Sequence, residues 1–153
     1  MQDMASTRTP AHLWVVGILA LLWNAFGAYD YSMTRMRNTE YLQSMMPGVD
    51  PNAVLGWIDA MPLYAQVGWG LGVWGGLLGA VLLLMRSKWA VHAYIASAIG
   101  MVLSLGHQIF LAPAMPGAEA IGVMNDVMPW IIIVLGLLQL WYAWTQRAAG
   151  VLR

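Results

Sequence analysis

Apolar residues along this chain fall into four long blocks, at about 12–31, 63–85, 89–111 and 127–145, with polar stretches between them. At ~1.5 Å rise per residue, a helix over each block has the length needed to cross a ~30 Å hydrocarbon layer. The polar stretch between the first two blocks is the longest and carries start signals of its own. Thr39 predicts a short helix through Met46. Asp50-Pro51 predicts another: an aspartate cap, then proline at the first helical position, running to about Ala60. In that second helix Ala53, Val54, Trp57, Ile58 and Met61 recur at helical spacing, the pattern of a helix lying on a surface. The chain thus reads as one all-α membrane domain over 1–153. It is a four-helix transmembrane bundle with a long extracytoplasmic loop that contains short helices between spans one and two.

The second block has a finer pattern inside it. No residue from Tyr64 to Met85 is charged, and six glycines interrupt the run. Gly68, Gly72 and Gly76 recur every four residues, and Gly75 and Gly79 form a second such pair. In water each would cost a helix ~1 kcal/mol relative to alanine. In lipid an unpaired backbone has no solvent to turn to, so the helix persists. The glycines then form a groove where another backbone approaches closely. The third block offers a matching row, Ala96, Gly100 and Ser104. The tight turn Arg86-Ser87-Lys88 makes the two spans antiparallel neighbours, so the two rows are expected to face each other. Gly136, Gln139 and Ala143 mark a small face on the fourth span, and Pro129 is expected in its first turn.

Composition sharpens the class. Apolar residues make up 60% and charged residues 9%, where soluble domains carry about 25% charged. Formal net charge is zero, which gives no footprint for nucleic acid. The absence of cysteine excludes disulfides, thiolate metal sites and iron–sulfur clusters. A signal-peptide reading of the first block, with cleavage near Ala25-Phe26-Gly27, competes with the span reading. The barely basic leader, and a run carrying Trp23 and Asn24, favour the span. Arg8, Arg86, Lys88, Arg147 and Arg153 would share one side of the membrane, which predicts cytoplasmic termini. Trp14, Trp89, Trp141, Tyr142 and Trp144 are the expected anchors on that side, and Tyr29, Tyr31, Tyr64 and Trp130 on the other.

Candidate chemistry is sparse. The spans are expected to hold no charged residue, which argues against proton-coupled pumping. Asn24 lies on a row with Gly17, Ala20 and Gly27 and is expected to face a helix neighbour, either as an interhelical hydrogen bond or as a ligand-contacting amide. His12, His92 and His107 sit near span ends. His92 and His107 are roughly 22 Å apart along one helix, too far to share a metal. They read as interfacial histidines, and no metal or other cofactor is expected. Nucleophile elbows, zinc-binding helix motifs, phosphate loops and dinucleotide fingerprints are absent from the sequence.

Four stretches carry a resemblance. They are Trp23-Asn24 with Gly27 and Tyr29, then Gly72-Val73-Trp74-Gly75-Gly76-Leu77-Leu78-Gly79, then Arg86 with Lys88-Trp89-Ala90-Val91, and finally Leu140-Trp141-Tyr142-Ala143. Together they resemble a family of small four-span bacterial inner-membrane proteins that often carry the label "sugar transporter". The resemblance implies the fold and the inner-membrane location. It departs at His92, where the family often has proline, and that argues against a shared role for this histidine.

The functional expectation is a non-enzymatic inner-membrane protein acting as an accessory, assembly or stabilising subunit. Its partners would be the lipid bilayer and a membrane protein or a second copy. The alternative is a carrier or binder of a small neutral or lipophilic ligand, a sugar or quinone, held by Trp23, Asn24, Trp74 and Gln139. A third reading, a haem- or quinone-linked redox protein, depends on the histidines.

Overall fold

The structure, a computed structural model, describes residues 9–153. The N-terminal stretch, including Arg8, lies outside the described residues. Every regular element among the described residues is helical: α1 (Ala11–Arg35), α2 (Thr39–Met45), α3 (Pro51–Asp59), α4 (Leu63–Leu84), α5 (Trp89–Phe110), α6 (Ala118–Ile121) and α7 (Val123–Ala148). Four of them, α1, α4, α5 and α7, are long and apolar enough to cross a membrane.

The helix ends differ from the sequence reading in informative ways. Asn38, not Thr39, caps α2, its side chain accepting from the backbone N–H of Tyr41 at 2.9 Å. Asp50 caps α3 with Pro51 in the first turn, accepting from the Asn52 N–H at 3.0 Å. α7 begins at Val123, a full turn before Val127, because Gly122 closes the preceding turn and polar Asn125 and Asp126 still fit a helical start. Pro129 therefore lies inside the helix rather than in its first turn. α1 runs past Tyr31 to Arg35, so Arg35, beyond the expected span, lies within its helix.

Among the described residues, both non-glycine residues with left-handed backbone are arginines that follow a long helix, Arg37 (φ 58°) and Arg86 (φ 57°). That position usually takes glycine. Each arginine is tied down. The Arg37 guanidinium donates to both carboxylate oxygens of Asp59, at 2.9 and 3.2 Å. The Arg86 guanidinium donates to Thr9 Oγ1 at 2.6 Å, and its carbonyl accepts from the Arg153 N–H at 2.8 Å. The Lys88 N–H in turn donates to the Arg153 carbonyl at 2.9 Å. The described start of the chain and its C-terminal residues therefore meet at the α4–α5 turn.

The most extensive packing is between α4 and α5, followed by α1 on α4 and α7 on α5. Two apolar clusters close the ends. At the α4–α5 turn, Leu13, Leu83, Ala90, Val91, Tyr94 and Ala143 pack with Val151 and Leu152, which fold back from the C-terminal tail. At the other end α3 buries Val54 and Ile58 with Val49, Met61 and Ala65, against Trp57, Trp69, Met115 and Ile121. Trp57 also donates its indole N–H to the Pro113 carbonyl at 2.9 Å, holding α3 to the loop before α6.

Candidate functional site

The small residues of α4 and α5 set the geometry of the bundle interior. A methyl built on Gly100 would overlap the Gly72 backbone nitrogen and lie 2.5 Å from the Gly68 carbonyl oxygen and 2.8 Å from Gly72 Cα. One on Gly68 would lie 2.6 Å from Leu103 Cβ and 2.9 Å from the Gly100 carbonyl oxygen. One on Gly75 would lie 3.0 Å from the Ser97 backbone nitrogen. Backbone thus meets backbone along this seam, as a small-residue interface allows. Gly72 differs: the nearest atom to its added methyl is 3.5 Å away, an ordinary contact. Ala96 is half-buried, and Ser97, the next residue, takes its place in the seam. The α5 row is Ala93, Ser97, Gly100 and Ser104, all buried, with mixed spacing of four and three.

A polar layer crosses the bundle at the same level. Asn24 of α1 donates through Nδ2 to Gln139 Oε1 of α7 at 2.7 Å and to the Ala20 carbonyl at 2.8 Å. Its Oδ1 lies against Gly76 of α4, where an added methyl would overlap it. Ser97 of α5 donates its hydroxyl to the Gly72 carbonyl at 2.6 Å. All four candidate spans therefore contribute to one layer of neutral amide, hydroxyl and backbone groups. Such a layer fixes the helices relative to one another, and none of its side chains ionises at ordinary pH. Of the ligand candidates, the structure joins Asn24 and Gln139. It places Trp74 on the outer face, 49% exposed, edge-on to Tyr31 with ring centres 6.3 Å apart. Trp23 is half-buried.

Each histidine has an aromatic neighbour near a span end. His12 Nδ1 and the Tyr142 hydroxyl lie 2.5 Å apart, linking α1 to α7. His107 Nδ1 and the Tyr64 hydroxyl lie 2.8 Å apart, linking α5 to α4. His92 tilts against Trp89 at 4.9 Å. Among the described residues no three of His, Cys, Asp and Glu gather at one point.

The third polar region joins the end of α1 to α2, α3 and the start of α4. The Tyr41 hydroxyl donates to Asp30 Oδ1 at 2.9 Å. Burial, then the hydrogen bond to the Asp30 carboxylate, raises the Tyr41 phenol above its ordinary pKa. Arg35 donates to Gln66 Oε1 at 3.2 Å, and Gln66 Nε2 donates to the Met61 carbonyl at 2.9 Å. With Thr34, Arg37, Leu55, Ile58 and Asp59, Arg35 and Gln66 line a cavity of about 120 Å³. Sequence reasoning assigned neither Thr34 nor Gln66 to such an assembly. The signal was present in part: Arg35 and Arg37 follow the span directly, and their side chains must find polar partners where the helix leaves lipid.

These features define a multi-pass, all-helical membrane protein with a bonded amide pair in its interior and a polar assembly at one end. Comparison with known protein families, curated proteins and solved structures finds no match to this chain.

Proposed function

We propose that this chain is a non-enzymatic subunit of the bacterial inner membrane that acts by association, assembling with or stabilising a membrane-protein partner. In this reading both termini are cytoplasmic, as the cluster of Arg86, Lys88, Arg147 and Arg153 suggests, and α2 and α3 face the periplasm. One observation carries the reading: the two interior amides offered as ligand contacts, Asn24 and Gln139, bond to each other. The α4 groove does not await a partner either, since α5 fills it. Recognition then falls to outer surfaces. The most apolar stretch of α7 is 0% buried, against 22–39% in the other three candidate spans, so α7 presents the most surface to lipid or a partner helix.

Purification in mild detergent, with sizing and mass spectrometry of what co-elutes, tests this. The expected result is a discrete complex with a membrane protein or a further copy of this chain. A monomer that binds a sugar or quinone stoichiometrically, with binding lost in Asn24→Leu, would replace the subunit reading with a carrier. A Soret band lost in His12→Ala or His107→Ala would replace it with a redox protein.

A further inference from the structure

The cavity at the end of α1 is lined by hydrogen-bond donors that protein acceptors engage only in part, two of them on the exposed Arg35 and Arg37. Arg35 makes one hydrogen bond, to Gln66 Oε1, and pairs with no carboxylate among the described residues. Arg37 meets Asp59 through a single nitrogen, Nη1, which leaves the rest of its fork unused. Thr34 lines the same cavity, and its hydroxyl makes no hydrogen bond among the described residues and stays open to the cavity. Gln66 Oε1 and the Asp59 carboxylate, the acceptors nearby, are engaged by the two arginines.

The formal charge of the lining is +1, two arginines against Asp59. The cavity, of about 120 Å³, is partly open and has room for one tetrahedral oxyanion. Position adds to the argument. α1 has 25 residues, so it is ~37 Å long and exceeds a ~30 Å hydrocarbon core. Its last turn, with Thr34 and Arg35, therefore emerges at the level of lipid headgroups. The α1 and α3 helices both end here, and their terminal carbonyls offset part of the positive charge. Binding must then rest on direct hydrogen bonds from the guanidinium forks, a geometry that suits phosphate.

We infer that Thr34, Arg35 and Arg37 form a binding site for a phosphate group, carried by a phospholipid headgroup or by a free phosphate. Two arms of one experiment separate the sources. The full chain in detergent is titrated with inorganic phosphate, using thermal stability as the readout. Separately it is titrated with phosphatidylglycerol added to the micelles, with native mass spectrometry counting retained lipid. Stabilisation by phosphate identifies a free-phosphate site, and retained phosphatidylglycerol without a phosphate response identifies a headgroup site. In either arm Arg35→Gln should weaken binding roughly tenfold or more, since a charged hydrogen bond contributes ~1.5–3 kcal/mol. Thr34→Val keeps the shape, removes the hydroxyl and should weaken binding by a smaller factor. Arg86→Gln, at the opposite end, should bind as the unmodified chain does. The inference is overturned if neither ligand binds, or if Arg35→Gln and Thr34→Val both bind as tightly as the unmodified chain. Should Arg35→Gln fail to fold, Thr34→Val alone decides the matter.

Discussion

Between α4 and α5 backbone meets backbone, whereas between α5 and α7 side chain meets side chain. Gly100 sits directly against the Gly68 and Gly72 backbones, while Gly136 of α7 faces only the tip of Met101, with Met101 Cε 2.5 Å from where a methyl would stand. A backbone cannot move aside without shifting its helix, but a methionine tip swings through soft torsions. Burial follows the same division: seven residues of α4 and seven of α5 are buried, and only Ala143 of α7 is. The α4–α5 pair is therefore the rigid unit. α7 meets α5 through long side chains and is bonded to α1 by Asn24–Gln139 and His12–Tyr142. Small residues and tight contact thus concentrate in one pair of helices.

The largest effect should come from forcing the rigid seam apart. Gly100→Ile places a branched side chain against the α4 backbone. Thermal or denaturant unfolding in detergent should show a loss of about 3 kcal/mol, the upper end of ordinary overpacking costs, or failure to fold.

The polar layer should respond by less. Asn24→Leu and Gln139→Leu each remove one side of the α1–α7 bond, and each should cost ~0.6–2 kcal/mol. Because the bond is lost only once, a double-mutant cycle should show the pair costing less than the sum. Strict additivity would mean that the two amides do not meet.

A smaller effect concerns the loop assembly and alkaline pH. The folded protein holds the Tyr41 phenol protonated above its ordinary pKa, while the unfolded chain does not. The stability this contributes is present below about pH 10 and is lost as pH rises through the folded pKa. Asp30→Asn removes one cause and leaves burial, so it should reduce the alkaline loss in part. Ultraviolet titration of the phenol, compared with Tyr41→Phe, measures it. An ordinary Tyr41 titration would remove the Asp30 contact from the account.

Smallest of all should be Gly72→Ala. The added methyl meets nothing closer than 3.5 Å. Helix propensity favours alanine by up to ~1 kcal/mol, so the change should be neutral or mildly stabilising.

The four spans were legible in the sequence because length and hydropathy alone impose them. The glycine groove was legible too, since in lipid such a row makes sense only as a close contact. Its register was not. Counting by four from Ala96 reaches Gly100 and Ser104, but the face that meets α4 drifts by one residue and takes Ala93 and Ser97 instead. A straight helix has 3.6 residues per turn, so a contact several turns long cannot keep a strict spacing of four. Asn24 and Gln139 were both singled out, yet nothing local could pair residues 115 apart in the chain. The extension of α1 beyond Tyr31 to Arg35 was hidden for a related reason. The aspartate reads as the end of a span unless one knows that Tyr41, from the next helix, reaches back to it.

The most direct test of the rigid-seam claim is one methyl placed in each region. Gly100→Ala and Gly136→Ala are purified in the same detergent and their unfolding midpoints are compared with that of the unmodified chain. Gly100→Ala should lose roughly 1–3 kcal/mol, because its methyl meets only backbone, and Gly136→Ala should change little, because Met101 can yield. Equal loss in both, or a tolerated Gly100→Ala, would contradict the account of α4 and α5 as the rigid unit.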